Sequence, residues 1–159
     1  MTHSYVVLGA GRQGMAIAYD LAKFGNPSQL YLCDLEARRV RFATNYLNEL
    51  IGSEAVTSKV IDAGNHEAVA RLFREVDACV IAVSYRFNRA LSELAVETGT
   101  HFCDLGGNTG VVRAQLELDQ AAREAGISIV PDCGLAPGMA NSMAKYAMER
   151  IEAGGGKPQ

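Results

Sequence analysis

Six short apolar runs alternate with longer amphipathic stretches along the chain, and this alternation restricts the possible folds more than any other feature. The runs have the length of strands and are YVVLG, LYLCD, SKVID, DACVIAV, HFCDL and SIVP. Between them, apolar residues recur at helical spacing, as they do at Ile17, Leu21 and Phe24. Strands that alternate with helices form βαβ units, and right-handed crossovers make the resulting sheet parallel. The pattern therefore predicts an α/β fold with a doubly wound parallel sheet of about six strands and helices on both faces.

The size and charge of the chain restrict its domain count and its partners. Its 159 residues make one domain, expected over residues 1–153, with a flexible tail, GGGKPQ, over residues 154–159. A net charge of −3 argues against nucleic acid and anionic membranes as partners. The longest apolar run, ACVIAV, is too short to span a bilayer. Because the N terminus lacks a cleavable signal pattern, we expect a cytoplasmic protein.

The four cysteines are not spaced like metal ligands, and no metal site is predicted. Each lies in or just after an apolar run, at Cys33, Cys79, Cys103 and Cys133. We therefore expect them to be small buried side chains in a protein from a reducing compartment.

The first apolar run leads directly into GAGRQG, which has glycines at positions 9, 11 and 14 in GxGxxG register. In a Rossmann domain, Gly9 would permit the tight turn, Gly11 would let the backbone approach a pyrophosphate, and Gly14 would let the helix pack close to the strand. The free N–H groups at the start of that helix would then face the phosphates. The alternative is a structural turn, with Asp34 further along the chain acting only as a helix cap.

Asp34 closes the second strand 20 residues after Gly14, about where the ribose-binding acid of such domains lies. A carboxylate at this position accepts hydrogen bonds from the ribose hydroxyls and repels a 2′-phosphate, which favours NAD over NADP. Arg38 and Arg39 lie one helical turn further on and could accept a 2′-phosphate.

The ends of later strands provide further cofactor contacts, because open parallel sheets bind ligands at their carboxyl edge. Asp62 either reaches the adenine edge or begins a surface turn. Ser84, which follows Ala82 and Val83, either bonds a ribose or caps the next helix. In DLGGN, the pair Gly106-Gly107 allows the backbone to approach a flat ring, although a plain tight turn also uses two glycines.

The loop DCGLAPG follows the sixth strand, which we expect to end at Pro131, and so lies on the same edge. Pro137 suits the first position of a helix whose free N–H groups point into the cleft. The loop would then face the nicotinamide ring. Cys133 within it is either a thiolate favoured by the helix N terminus or a buried, inert thiol.

These residues resemble the NAD(P)-binding domain of the saccharopine dehydrogenase-like family, and within it the L-lysine 6-dehydrogenases. The resemblance covers residues 4–153 and is carried by GAGRQG, CDL, FCDLGGN and above all VPDCGLAPGMAN. It implies pyrophosphate contacts at Gly9, Gly11, Arg12, Gln13 and Gly14, a ribose contact at Asp34, and backbone contacts near the nicotinamide at Gly106-Gly107 and Gly134–Pro137. The predicted cofactor-binding residues are Gly9, Gly11, Arg12, Gln13, Gly14, Asp34, Asp62, Ala82, Val83, Ser84, Leu105, Gly106, Gly107, Cys133, Gly134, Leu135, Ala136 and Pro137.

The resemblance also implies an activity for the family. Hydride would pass from the carbon that bears the ε-amine of lysine to NAD, and water would hydrolyse the imine to a semialdehyde and ammonia. Family members insert a second domain after the helix that follows DCGLAPG, and it supplies most substrate contacts and the dimer interface. Neither that domain nor a convincing general base is found in these 159 residues, so we expect a cofactor half that is inactive alone.

Three functions remain open at this point. The chain is the nucleotide-binding half of an amino-acid or opine dehydrogenase, a stand-alone NAD-binding module that senses redox state or serves as a subunit, or part of an enzyme whose catalytic domain is a separate chain.

Met139, Met143 and Met148 on the last helix fill a core or cover an interface surface. We expect a homodimer or a higher oligomer.

Overall fold

The computed structural model describes residues 2–158 and contains one parallel sheet with the strand order β3-β2-β1-β4-β5-β6. This is the order of a Rossmann fold, and it confirms the predicted fold class. The strands are β1 (His3–Leu8), β2 (Pro27–Asp34), β3 (Thr57–Val60), β4 (Ala78–Ile81), β5 (His101–Asp104) and β6 (Ile129–Val130).

The helices connect these strands in chain order. They are α1 (Arg12–Phe24), α2 (Ala37–Ile51), α3 (His66–Phe73), α4 (Asn88–Thr98), α5 (Thr109–Leu116), α6 (Asp119–Glu124) and α7 (Ala140–Ala153). A short 3₁₀ turn covers Tyr85–Phe87, and an irregular helical turn covers Leu135–Met139. Asn65 caps α3 by accepting a hydrogen bond from the backbone N–H of Ala68.

The sheet has a separate hydrophobic core on each face, as a doubly wound fold requires. Successive β1 residues Val6 and Val7 point to opposite faces and belong to different cores. One core contains buried residues of α1 and α2, and the other contains residues of α3, α4 and α6. The strands of the centre are therefore buried on both faces and read as continuous apolar runs.

Several predicted boundaries were wrong by one or two residues. β3 ends at Val60, so Asp62 lies in the following turn, and β4 ends at Ile81, so residues 82–84 form a loop. β6 ends at Val130, before Pro131, because proline has no N–H to donate to a ladder. These shifts keep the candidate residues at the carboxyl edge of the sheet.

The prediction that Pro137 begins the last helix placed its start three residues too early. Ala136 has extended dihedral angles (φ −141°, ψ 129°), and the bond between Ala136 and Pro137 is cis. Regular helical geometry is resumed after this turn, and α7 begins at Ala140. A residue before proline is driven out of the helical region by contact with the proline ring, which accounts for the interruption.

The last helix, α7, follows directly on the irregular turn and has no buried residue. Met139, Met143 and Met148 are exposed, so of the two alternatives a core role does not hold within the described residues. Tyr146 and Ile151 are also exposed on this helix. The apolar side chains of α7 thus have no partner in the described residues. Within residues 2–158, no helix is both long enough and apolar enough to cross a bilayer.

Candidate nucleotide-binding site

The candidate site lies at the carboxyl edge of the sheet, where the strand order reverses between β1 and β4. In open α/β sheets this switch point is where a crevice forms between connections that leave in opposite directions. The turn after β1 enters α1 and the loop after β4 enters α4, so the two connections separate here.

The three glycines of GAGRQG adopt the geometry that their spacing predicts. Gly9 has φ +106°, and a Cβ there would lie 2.5 Å from the carbonyl oxygen of Ala82. A Cβ on Gly14 would overlap the carbonyl oxygen of Gly9, so α1 can approach the loop only because position 14 lacks a side chain. A Cβ on Gly11 would meet no heavy atom within 4 Å. The loop is therefore tightly packed at Gly9 and Gly14, whereas Gly11 faces open space.

The amino end of α1 is not capped by a side chain. Gly11 precedes the helix and makes no side-chain cap, and Arg12 and Gln13 form the first turn. Their backbone N–H groups have no intrahelical acceptor, and the helix dipole places partial positive charge at this end. The opening at Gly11 is therefore suited to an anionic ligand.

Hydrogen bonds to Asp34 connect the glycine loop to the end of β2. Its Oδ2 accepts a hydrogen bond from the N–H of Ala10 (2.9 Å), and its Oδ1 accepts one from the N–H of Glu36 (2.9 Å). Arg39 Nη1 lies 3.3 Å from Oδ1, and Arg39 Nη2 lies 2.8 Å from Glu36 Oε2. The Asp34 side chain is only 10% exposed. The sequence did not indicate that Arg39 would pair with both acids.

A first cavity, of about 370 Å³, opens beside Asp34. The predicted residues Gly9, Gly11, Asp34, Asp62, Ala82, Val83 and Ser84 all line it. The remaining lining residues are Leu8, Cys33, Leu35, Arg39, Ile61, Ala63, Arg86 and Phe87, of which Arg39 was considered above as an acceptor for a 2′-phosphate. The cavity combines apolar walls with a few polar groups, namely the carboxylates of Asp34 and Asp62 and the guanidinium groups of Arg39 and Arg86, a common composition for ligand pockets.

Two of the alternatives left open by the sequence are clarified in this cavity. Asp62 does begin a turn, because its Oδ1 accepts a hydrogen bond from the N–H of Gly64 (2.8 Å), and it lines the cavity at the same time. Ser84 precedes the 3₁₀ turn but makes no side-chain capping bond. Its hydroxyl therefore does not have the capping role.

A second cavity, of about 540 Å³, touches the GAGRQG segment at Gln13. It is lined by Gln13, Ile17, Leu105, Gly107, Cys133, Gly134, Leu135 and Ala136. All of these except Ile17 were predicted, so seven of the predicted residues meet here. Seven others line the first cavity, and four predicted residues line neither cavity: Arg12, Gly14, Gly106 and Pro137.

The wall of the second cavity is made of two loops in close contact. A Cβ on Gly134 would overlap the carbonyl oxygen of Leu105, and a Cβ on Gly106 (φ +71°) would overlap the Asp132 carboxylate. Both loops are bonded to Asp104, which is fully buried at the end of β5. Sequence reasoning missed Asp104 as a site residue; its one signal was a carboxylate that ends an apolar strand.

The cysteines differ in their environments. Cys33 and Cys79 are buried as predicted, and burial raises the pKa of the Cys33 thiol to about 12. Burial, followed by the proximity of Cys133, also raises the pKa of the Cys103 thiol to about 12. Cys133 is exposed, which corrects the expectation that it is buried.

Comparison with known proteins identifies the family. Residues 5–130 match the family model described as "Saccharopine dehydrogenase NADP binding domain". Saccharopine dehydrogenase (NADP(+), L-glutamate-forming) from Pyricularia oryzae is 28% identical over 106 residues, which are 67% of this chain and 23% of that protein. The protein of the same description from Schizosaccharomyces pombe is 25% identical over 121 residues, 76% of this chain and 25% of that protein. The match thus spans about a quarter of the length of these relatives.

Solved structures show the same fold. Apo saccharopine dehydrogenase (L-Glu forming) from Saccharomyces cerevisiae has a TM-score of 0.73 and 18% identity, covering 96% of this chain and 32% of that chain. Quinate dehydrogenase from Corynebacterium glutamicum, solved in complex with NAD, has a TM-score of 0.59 and 22% identity, covering 86% of this chain and 46% of that chain. At these identities the likeness is one of fold.

Proposed function

The chain belongs to the family of saccharopine dehydrogenase NADP binding domains, and from that membership we propose that it binds NAD(H) along the carboxyl edge of its sheet. The observation that carries the proposal is the glycine loop. Gly9 and Gly14 leave no room for a side chain, while Gly11 faces open space at the uncapped start of α1. That combination fits a pyrophosphate.

The two cavities that touch this loop fit the two halves of a dinucleotide. We assign the adenosine half to the first cavity, where Asp34 meets the ribose and Asp62 and Ser84 lie within its walls. We assign the nicotinamide half to the second cavity, between Gln13 and the turn at Gly134. The N–H groups of Arg12 and Gln13 are assigned to the pyrophosphate between them.

We propose a preference for NAD over NADP. The Asp34 carboxylate lies at the adenosine cavity, and like charge opposes a 2′-phosphate. Arg39, the alternative acceptor for that phosphate, is held by Asp34 and Glu36. The matching family is described as an NADP binding domain. The proposed preference for NAD therefore depends on the Asp34 carboxylate of this chain.

For the full-length protein we propose an amino-acid dehydrogenase, most similar to L-lysine 6-dehydrogenase among the alternatives of its family. The support is the segment Asp132–Asn141, DCGLAPGMAN, which builds one wall of the second cavity. When bound, the cofactor supplies the hydride acceptor. The residues of this chain hold the ring against Leu105 and Leu135 and exclude water from one side of it. A saccharopine- or opine-type reductase remains the alternative reaction.

A stand-alone NAD(H)-binding or redox-sensing module is the second candidate. It is favoured by the composition of the second cavity, whose lining residues include no carboxylate, imidazole or amine to move a proton. We propose that residues 1–159 bind the cofactor but do not oxidise lysine by themselves. The exposed thiol of Cys133 and the free state of all four cysteines fit the cytoplasmic location that we also propose.

Mixing the chain with L-lysine and NAD tests this proposal. We expect NADH fluorescence to report binding of added NADH, and we expect no lysine-dependent rise in absorbance at the NADH band, because no carboxylate, imidazole or amine of residues 2–158 lines the second cavity. A lysine-dependent rise that persists after repeated purification would contradict the proposed inactivity. Absence of NADH binding would contradict the assigned function itself.

We propose that the chain forms a homodimer or a higher oligomer through the exposed face of α7. Met143, Tyr146 and Ile151 are 61%, 63% and 46% exposed, and α7 has no buried residue in the described part of the chain. Apolar surface of this kind is commonly covered by another subunit. Light scattering is expected to give at least twice the mass of one chain, and replacement of Met143 and Tyr146 by serine is expected to reduce it. A monodisperse monomer at high concentration would contradict the proposal.

A further inference from the structure

Asp104 is a fully buried carboxylate that accepts three hydrogen bonds. Its Oδ1 accepts from the backbone N–H groups of Gly106 (2.6 Å) and Asp132 (3.2 Å). Its Oδ2 accepts from the side-chain Nε2 of Gln115 on α5 (2.7 Å). Gln115 is itself 1% exposed. Among the described residues, no basic side chain forms an ion pair with Asp104, and its hydrogen-bond donors are two backbone N–H groups and one side-chain amide.

These bonds join two segments that are far apart in the sequence. Gly106 belongs to the loop after β5, and Asp132 belongs to the loop after β6, 28 residues beyond Asp104. The backbone of Asp104 adds a third link, because its carbonyl oxygen accepts a hydrogen bond from the N–H of Cys133 (2.8 Å). One residue therefore connects both loops that form the wall of the second cavity.

Two residues whose backbone N–H groups donate to Asp104 have positive φ angles. Gly106 has φ +71° and Asp132 has φ +61°, and the latter is uncommon for a residue with a side chain. β6 has only two residues, so the sheet itself fixes the second loop weakly. The bonds to Asp104 therefore determine how Leu105 and Gly134 are placed at the cavity wall.

We propose that Asp104 is a positioning residue for the nicotinamide half of the cofactor, acting through the two loops and not by contact. The inference rests on the assignment of the second cavity to the nicotinamide half. Asp104 does not line either cavity, and the adenosine cavity is built from other residues. Its loss should therefore affect the ring and spare the rest of the dinucleotide.

The test compares NADH with ADP-ribose, which lacks the nicotinamide ring. For Asp104→Ala we expect NADH affinity to fall about tenfold, roughly the effect of losing one hydrogen bond to the ring, with ADP-ribose affinity unchanged. The increase in nicotinamide fluorescence that accompanies NADH binding should also become smaller. A purely structural role would weaken both ligands equally.

Asp104→Asn is the matched conservative variant. Its remaining carbonyl can accept from Gly106 and Asp132, and its amide can donate to the Oε1 of Gln115 once the Gln115 amide turns by 180°, because Oε1 has no other partner among the described residues. We expect this variant to recover most of the NADH affinity. If Asp104→Ala does not fold, Gln115→Met decides, because it removes the bond that holds Oδ2 and so lets the Asp104 carboxylate turn away from the two loop N–H groups. That variant should lower the ring fluorescence severalfold and spare ADP-ribose.

The outcomes separate the inference from the proposed function. If the unaltered chain binds neither ligand, the proposed function fails. A different outcome would overturn only the role of Asp104. The unaltered chain would then bind both ligands, but Asp104→Ala (or Gln115→Met in its place) would change neither the ratio of NADH to ADP-ribose affinity nor the fluorescence of the bound ring. Nucleotide binding would still stand. The inference would also be overturned if the unaltered protein bound NADH no more tightly than ADP-ribose and the fluorescence of the ring did not change on binding.

Discussion

Replacing Gly14 by alanine is expected to weaken NADH binding by about tenfold to 100-fold, because α1 carries the N–H groups assigned to the pyrophosphate and a hydrogen bond to a charged group contributes about 1.5–3 kcal/mol. The new Cβ would overlap the carbonyl oxygen of Gly9, so α1 must move away from the glycine loop. Overpacking of this kind also costs about 1–3 kcal/mol of stability. Calorimetric titration with NADH and thermal denaturation measure the two effects separately.

Two further glycine variants serve as controls for this result. In Gly11→Ala the Cβ meets no atom within 4 Å and φ is −77°, so the melting temperature should not change while NADH binding weakens. In Gly99→Ala, at the opposite edge of the sheet, φ is +73°, so stability should fall while binding is retained. NADH binding by Gly14→Ala at the affinity of the unaltered chain would show that the loop does not hold the pyrophosphate.

Replacing Asp34 by alanine is expected to lower NADH affinity about tenfold to 100-fold, because a hydrogen bond to a charged group contributes about 1.5–3 kcal/mol. The variant loses the proposed ribose contact and also leaves the N–H of Ala10 without its acceptor. It frees the Nη1 of Arg39, which becomes available to a 2′-phosphate, while Nη2 stays paired with Glu36. The preference for NADH over NADPH should therefore disappear. Competitive titration with the two reduced cofactors measures it.

Arg39→Met is the control for the Asp34 variant. It removes the ion pair and keeps both backbone hydrogen bonds of Asp34, to Ala10 and Glu36. We expect NADH affinity to remain close to that of the unaltered chain. If Asp34→Ala binds NADH normally, or if the unaltered chain prefers NADPH, Asp34 does not select the cofactor.

Most of the fold could be predicted from the sequence because its signals are local. Each central strand is buried on both faces, so Val6, Val7 and Leu8 appear as an uninterrupted apolar run. The glycine spacing likewise reports a local backbone shape, and Gly9 and Gly14 have the environments that it predicts. Adjacent residues were sufficient to identify these features.

The features that were missed depend on contacts between distant segments. Asp104 belongs to the site because it binds Gly106 and Asp132, and no local pattern shows the second of these contacts. The exposure of α7 could not be predicted, because methionines suit a core and an interface equally. Pro137 was misassigned because proline at the first position of a helix and proline in an irregular turn have the same sequence signal.

The most direct measurement is a calorimetric titration of the unaltered chain with NADH, in parallel with ADP-ribose as a competitor. The account predicts saturable binding of one NADH per chain, displaced by ADP-ribose, because the two ligands share the adenosine cavity and the glycine loop. No heat of binding and no displacement up to millimolar concentration would contradict it.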